Sequence, residues 1–391
     1  MGVPHFRWFT AGESHGPGLV AIIDGVPAGL ALLAADVDAD LARRQRGYGR
    51  GGRMKIEADR VTLQAGVRGG ETIGSPLALL VENRDFASWT GRMGPAPFGA
   101  PPEPVVRPRP GHADLAGALK YDRRDLRDVL ERASARETTM RVAVGAVAKA
   151  LLATIGVEVF AHVTSIGEVV AAAHRSLAPA AVRERARASD LACADAEAEA
   201  RMREAIHAAS HAGDTLGGVF EIVATGLPPG LGSHVQWDRK LDGRIAQALM
   251  SIQAIKGVEI GLGFEAARLR GSEVHDPIAY DDASHAFVRP RNGAGGLEGG
   301  ITNGAPLLAR AAMKPIATLR TPLPSVHVGT KEQADAAFER SDVCAVAAAS
   351  VVGEAMVAIT LADAALEKFG GDSVRELGRN VEAYREQLRG Y

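Results

Sequence analysis

The chain has 391 residues, 46% of them apolar and 5% aromatic, with a formal net charge of −2. That length can bury a sizeable core, and near-neutrality excludes a global pull toward nucleic acid or anionic membrane, so any anion site is local. Two widely separated cysteines, Cys193 and Cys344, exclude a disulfide framework and favour a reducing, cytoplasmic setting.

No basic stretch followed by an apolar one opens the chain, so no signal peptide is expected. The longest apolar run, near 343–352, meets Glu354 too soon to span a bilayer. Residues 6–10 read as a strand that delivers Gly12-Glu13-Ser14-His15-Gly16. Residues 20–23 and 30–33 read as strands around an Asp24-Gly25 turn. The glycines beside His15 allow close approach of a ligand to the backbone; a turn histidine that bonds its own loop is the plainer alternative. Asp36 or Asp38 can cap a short helix carrying Val37 and Leu41. It runs into Arg43-Arg44-Gln45-Arg46-Gly47-Tyr48-Gly49-Arg50-Gly51-Gly52-Arg53. Such a segment suits flexible RNA binding, closure over a small polyanion, or simple solvation. Its place between folded elements favours the small anion. Strands are expected at 56–63 and 77–81, and a long loop or lid at 84–110.

Residues 107–141 concentrate the chemistry. The Pro/Gly run fixes an extended approach to His112, which sits where loop meets helix. Arg132 and Arg136, four apart, are predicted to share one helical face, with Ser134 on another side. Residues 140–147 read as a buried helix, and 157–166 as a strand. Residues 171–212 read as a peripheral helical insertion. Its His207 and His211 are four apart but lack further ligands nearby, so a solvated face is expected and no metal site is assigned. A strand at 217–225, a turn at 228–233 and a helix at 239–255 follow. Residues 257–264 resemble a phosphate loop in glycine count only. The glycines of 293–300 suit close approach to a flat ligand or a mobile surface loop. Lys314-Pro315-Ile316-Ala317-Thr318 follows a strand-like stretch. A second apolar helix is expected from 343 to about 369, with Ser341 or Asp342 as cap and Gly370-Gly371 as stop. A capping Asp342 needs no catalytic role. Two such helices among short strands predict an α+β chain with helices buried between sheets, not a doubly wound parallel sheet.

With these residues laid out, the chain resembles the chorismate synthase family from Trp8 to Asp372. The blocks are Gly12-Glu13-Ser14-His15-Gly16, Glu131-Arg132-Ala133-Ser134-Ala135-Arg136-Glu137-Thr138 and Arg340-Ser341-Asp342. Gly47 to Met54 and Arg109 to Asp114 also fit, all in the family's order. The resemblance implies one domain over 1–391, a β-α-β sandwich with central helices between antiparallel sheets, and a homotetramer. It implies anti-1,4-elimination of phosphate and a ring hydrogen from 5-enolpyruvylshikimate 3-phosphate, giving chorismate in the shikimate pathway of aromatic amino-acid biosynthesis. It also implies a requirement for reduced FMN, with no net redox change.

Arg44, Arg50, Arg53, Arg136 and Arg340 match the substrate-binding arginines. His15 matches the histidine that protonates the leaving phosphate, with Ser14 as a relay; Ser134 is matched among the catalytic residues as well. His112 matches the residue that supports the reduced cofactor, and Asp342 the proton acceptor on the cofactor side. Arg132, Ala133, Ser134, Gln253, Ala254, Gly299, Gly300, Lys314, Pro315, Ile316, Ala317, Thr318 and Arg340 match the cofactor-binding positions. Ala133, Gly293 and Ala317 depart from commoner polar residues in relatives, which weakens individual hydrogen-bond assignments. No reductase domain is visible in the sequence, so a separate flavin reductase is expected in place of intrinsic NADPH (NADP-linked) reduction. The competing classes are an RNA-binding protein built on Tyr48 and its arginines, and a nicotinamide-linked flavin oxidoreductase.

Overall fold

The computed structural model describes residues 5–50, 58–339 and 342–391; Arg53, Arg340 and Ser341 therefore lie outside the described residues. In chain order the main elements begin with β1 (Arg7–Ala11), β2 (Gly18–Asp24), α1 (Ala34–Gln45), β3 (Val61–Ala65) and β4 (Leu77–Glu82). Next come α2 (Asp114–Tyr121), α3 (Arg127–Ala133), α4 (Thr138–Ala153), β5 (Glu158–Ile166) and β6 (Val169–Val170). The insertion holds α5 (Pro179–Ala188) and α6 (Ala196–His211), and β7 (Gly218–Thr225), α7 (Leu241–Met250), β8 (Ile255–Ile260) and β9 (Leu307–Met313) follow. The chain closes with α8 (Val346–Phe369) and α9 (Val374–Arg389).

Two antiparallel sheets form, in the orders β1-β2-β4-β3 and β8-β9-β7-β5-β6. On β2, Leu19, Ala21 and Ile23 are buried while Val20 and Ile22 are exposed, the period of two expected of a sheet with one face on the core. In contrast, β5 is buried on both faces. Its outer residue Phe160 packs with Val182 of the insertion and Val223 of β7, so the insertion covers that side. The insertion also reaches the main core through Cys193, Met202 and Ile206.

Between the sheets, α4 lies toward β2 and α8 lies against β5 and β7. The two helices come so close that a Cβ on Gly145 would sit 2.6 Å from the Ala355 Cα. Glycine is required there by contact. Glu354 sits in the middle of α8 with no exposed surface. Its oxygens take Arg43 Nη1 and Nη2 at 2.7 Å each, Lys149 Nζ at 2.5 Å and the Ala161 N–H at 3.0 Å. Although α8 is long and apolar enough to cross a membrane, 89% of its most apolar window is buried inside the protein. It is a core helix.

Three sequence expectations change. Residues 30–33 form no strand; the Leu30 and Leu32 amides bond Thr72 Oγ1 and the Gly70 carbonyl instead. Only an isolated bridge joins Ala31 to Glu71. The helix expected through 131–141 breaks at Ser134, whose ψ of 141° is extended and whose hydroxyl caps the Arg136 amide. Arg132 and Arg136 therefore do not share a face. Residues 257–264, like a phosphate loop in glycine count only, form most of β8 and a following turn. Finally, α8 starts at Val346 with Ala345 as cap, so Asp342 is not its cap. At α1, Asp36 accepts the Leu33 amide at 2.8 Å, while Asp38 accepts that of Val61.

Candidate active site

The break at Ser134 builds the centre of the site, because it lets α3 and the next turn approach the β1–β2 loop together. Arg132, on the α3 side, donates to the carbonyls of Thr10 and Gly12 at 2.9 and 3.0 Å. Ser134 donates to the Ser14 hydroxyl at 3.1 Å. Arg136, beyond the break, turns inward. Its Nε meets Asn83 Oδ1 at 2.9 Å and its Nη1 meets Asp59 Oδ1 at 2.5 Å. Asn83, at the end of β4, donates to the Glu13 and Gly16 carbonyls at 3.1 and 2.8 Å, so it ties Arg136 to the His15 loop.

Arg44 reaches the same Asp59 carboxylate, at 2.7 Å. Both guanidinium groups are buried, at 4% and 5% exposure, and they share one carboxylate. Burial lowers the Arg44 pKa to about 10; Asp59 opposes the fall and Arg136 and Arg50 add to it. Burial alone would raise Asp59, but Arg44 and Arg136 outweigh it and hold the carboxyl below its ordinary range. The Arg44 Nε is buried and makes no hydrogen bond among the described residues. Beside this pair, Arg50 meets Asp342 at 3.1 Å. The Val343 amide bonds the Gly49 carbonyl, which docks the Asp342 segment on the arginine-glycine loop.

Around His15, Glu131 accepts the ring Nδ1 and the backbone amide, each at 2.8 Å. Trp89 lies 4.1 Å from the imidazole centroid. On the other flank, His112 Nδ1 meets Asp114 Oδ1 at 2.5 Å. Burial would raise Asp114, but the bonds from His112 and Arg109 prevail and hold it well below the usual carboxylate range. Arg109 also donates to Thr318 Oγ1 at 3.1 Å. Gly111 has a φ of +77°, and a Cβ there would meet Lys314 Nζ at 3.0 Å; Lys314 donates to its carbonyl. Ala317 lies against the same glycine, and the Ile316 carbonyl accepts from Thr215 at 2.8 Å. Pro315 abuts the backbone of Gly217.

Lys314 N bonds the Ala254 carbonyl at 2.9 Å, and Ala254 holds a φ of +67°. Gln253 Nε2 donates to Glu137 Oε1 at 3.1 Å, which closes the circuit back to the turn carrying Arg136. Ala133 ends α3 within it. Gly299 and Gly300 lie apart from it. They turn a short hairpin whose Gly300 carbonyl accepts the Leu241 amide at the start of α7, whereas Gln253 follows the end of that helix. A ten-residue helix spans about 15 Å.

Sequence reasoning gave no role to Asp59, Asn83, Trp89, Asp114 or Arg109, and quoted Glu131 only within a motif. A buried partner was needed for arginines in a closed pocket, and that requirement was the available signal. Among the described residues, His162, His174 and Glu221 form the one metal-capable group. His162 and Glu221 already pair at 3.1 Å on neighbouring strands, with Arg310 acting on the same carboxylate. His211 Nδ1 meets the His207 carbonyl within α6 at 2.9 Å.

A helical layer between antiparallel sheets positions clustered buried arginines beside a histidine and two serines, an arrangement able to hold an anion. The chorismate synthase family model matches residues 6–366. A chorismate synthase from Geobacter sulfurreducens is 59% identical over 98% of this chain and all of its own length. One from Symbiobacterium thermophilum is 58% identical over 98% of this chain and 99% of its own. A crystal structure of chorismate synthase superposes with a TM-score of 0.81 and 44% identity over the whole of both chains. The chain belongs to the chorismate synthase family, and its enzyme class is that of the carbon–oxygen lyases acting on phosphates.

Proposed function

We propose that the enzyme converts 5-enolpyruvylshikimate 3-phosphate to chorismate by anti-1,4-elimination and requires reduced FMN. The observation that carries this reading is the buried Arg44–Asp59–Arg136 cluster. It holds two guanidinium groups against one carboxylate, next to the Ser14–His15 loop. Guanidinium groups pair bidentately with phosphate and carboxylate, and the substrate brings a phosphate and two carboxylates. Arg50, Arg53 and Arg340 are the further arginines assigned to it by family motif.

The chain's own groups divide the work. Arg44 and Arg136 orient the substrate and hold charge on its anionic groups. His15 supplies the proton to the departing phosphate, and the Ser134–Ser14 hydroxyl pair holds the loop that presents it. Asp342, paired with Arg50, is the proposed proton acceptor on the cofactor side, and His112, oriented by Asp114, is the cofactor-facing donor. The chemistry expected of bound reduced FMN is transient electron donation without net redox change. The strip from Arg132 to Ser134, through Gln253 and Ala254, to Lys314–Thr318 suits that group: the Gln253 Oε1 is a buried acceptor without a partner among the described residues, ready for a ribityl hydroxyl or ring N–H. Arg340 is carried with them by motif. Gly299 and Gly300 keep their family assignment as a proposal, at the far end of α7. A cytoplasmic homotetramer served by a separate flavin reductase completes the reading.

The RNA-binding alternative finds no support in the described residues of the arginine loop. Tyr48 is covered by Arg203 at 5.1 Å, and Gly49 is packed on Cys344.

Arg136→Ala tests the substrate pocket. Substrate affinity should fall about 10- to 100-fold, as for loss of a buried charge-assisted contact, with flavin affinity retained. Equilibrium binding at unchanged substrate affinity would remove Arg136 from the pocket.

A further inference from the structure

Glu131 is 2% exposed and makes more bonds to the His15 loop than any cap or turn requires. Its Oε2 accepts the His15 amide and its Oε1 accepts the imidazole Nδ1, each at 2.8 Å. Its own carbonyl accepts the Ser14 amide at 3.0 Å. Arg127, one turn earlier on α3, donates to the same Oε1 at 3.0 Å, and its other nitrogen reaches Glu339 at 3.0 Å. The Trp89 ring lies against the imidazole, tilted by 30°, and carries the Arg127 guanidinium 5.0 Å from its own centroid. Burial alone would raise the Glu131 carboxyl; the bonds from His15 and Arg127 hold it below its usual range, so it stays a carboxylate, an acceptor only.

A structural tie would be satisfied by the backbone bonds. The additional bond to Nδ1 fixes which ring nitrogen carries a proton toward Glu131, and therefore which one serves a ligand. Glu131 is held in turn by Arg127, and Trp89 limits rotation of the ring. Charged groups near His15 include Glu131 and Arg127 on α3, Glu13 on its own loop, Glu339 one step beyond Arg127, and Arg92, which lies over the Trp89 ring at 5.8 Å.

We propose that Glu131 is the positioning residue for His15: it holds Nδ1 and so commits Nε2 to the leaving phosphate, with Arg127 as its anchor. This rests on the reading of His15 as the proton donor. As the substrate carbon–oxygen bond breaks, its electron pair leaves with the phosphate and the Nε2 proton passes to a phosphate oxygen. The ring is left neutral, with its Nδ1 proton still bonded to Glu131. No proton needs to reach the carboxylate.

The test is a double-mutant cycle on the full-length enzyme with reduced FMN under anaerobic conditions. Glu131→Gln keeps the volume but leaves a single acceptor oxygen where three donors converge. It should lower kcat about 10- to 100-fold, the cost of a misplaced catalytic group, and leave KM within about twofold. In a His15→Ala background the same substitution should have no further effect. Arg127→Met, at a less buried position, should lower kcat several-fold and likewise lose its effect without His15; it decides the matter if Glu131→Gln does not fold. Wild-type kcat in Glu131→Gln, or equal losses with and without His15, would overturn the proposal while wild-type turnover stands. A wild-type enzyme that fails to convert the substrate would instead sink the underlying reading.

Discussion

Single residues decide the chemistry, and their surroundings separate their roles. His15 and His112 each present Nδ1 to a buried carboxylate, Glu131 and Asp114, so both rings are oriented before a ligand arrives. Replacing either with alanine should cut kcat about 100-fold or more, the usual share of a positioned acid or base. Flavin affinity, followed by quenching or difference spectra, should stay nearly unchanged. Full activity in either variant under reduced, anaerobic conditions would end its assigned role. The histidines, Ser14 and Arg136 stood out as candidates because each sits in a short, particular motif. Glu131 lies inside one of those motifs, yet the imidazole it bonds sits on a loop 116 residues away. Asp59, Asn83 and Trp89 come from segments with no motif of their own, so only the tertiary fold reveals them. Asp342 shows the reverse case: local sequence makes it a fair helix cap, but the helix begins four residues later, and the side chain pairs with Arg50.

At the scale of elements, the apolar character of α4 and α8 correctly foretold buried helices, and short apolar runs between turn signals gave most of β2, β4 and β5. The break at Ser134 was not legible, because Ala, Ser, Arg and Glu are compatible with a continuous helix. What ends α3 is tertiary: Arg132 bonds the β1 end and Arg136 is drawn to Asp59. Gly145→Leu should destabilise the fold by about 1–3 kcal/mol or more, because the added side-chain volume must push the packed helices α4 and α8 away from each other. Glu354→Ala should cost about 1–3 kcal/mol, since it removes the buried carboxylate that joins Arg43 to Lys149 and leaves both cations to Asp40. Chemical denaturation of these variants checks both, and wild-type midpoints would refute the tight α4–α8 contact or the buried ion cluster. Because Arg43 precedes Arg44, loss of Glu354 should also loosen the end of α1 that aims Arg44 into the pocket.

For the whole molecule, the buried carboxylates set a direction for pH dependence. Burial would raise Glu354, but Lys149 and Arg43 prevail and place it at about 2, against 4.5 for an ordinary glutamate. Asp59, Asp114 and Glu131 are likewise depressed. A depressed carboxyl contributes stability that is present above its unfolded pKa and lost as pH falls through the folded one. Thermal stability should therefore hold down to about pH 4.5 and decline steeply from there toward pH 2. A melting temperature independent of pH across that interval would contradict the assigned ion pairs. The site itself is assembled from both halves of the chain: His15, Arg44 and Arg136 from the first, Gln253, Lys314 and Asp342 from the second. The most direct measurement is anaerobic turnover of 5-enolpyruvylshikimate 3-phosphate by the folded enzyme, with and without chemically reduced FMN. Chorismate and phosphate should appear in equal amounts only when reduced flavin is present. Product formation without flavin, or silence in both arms, would contradict the account.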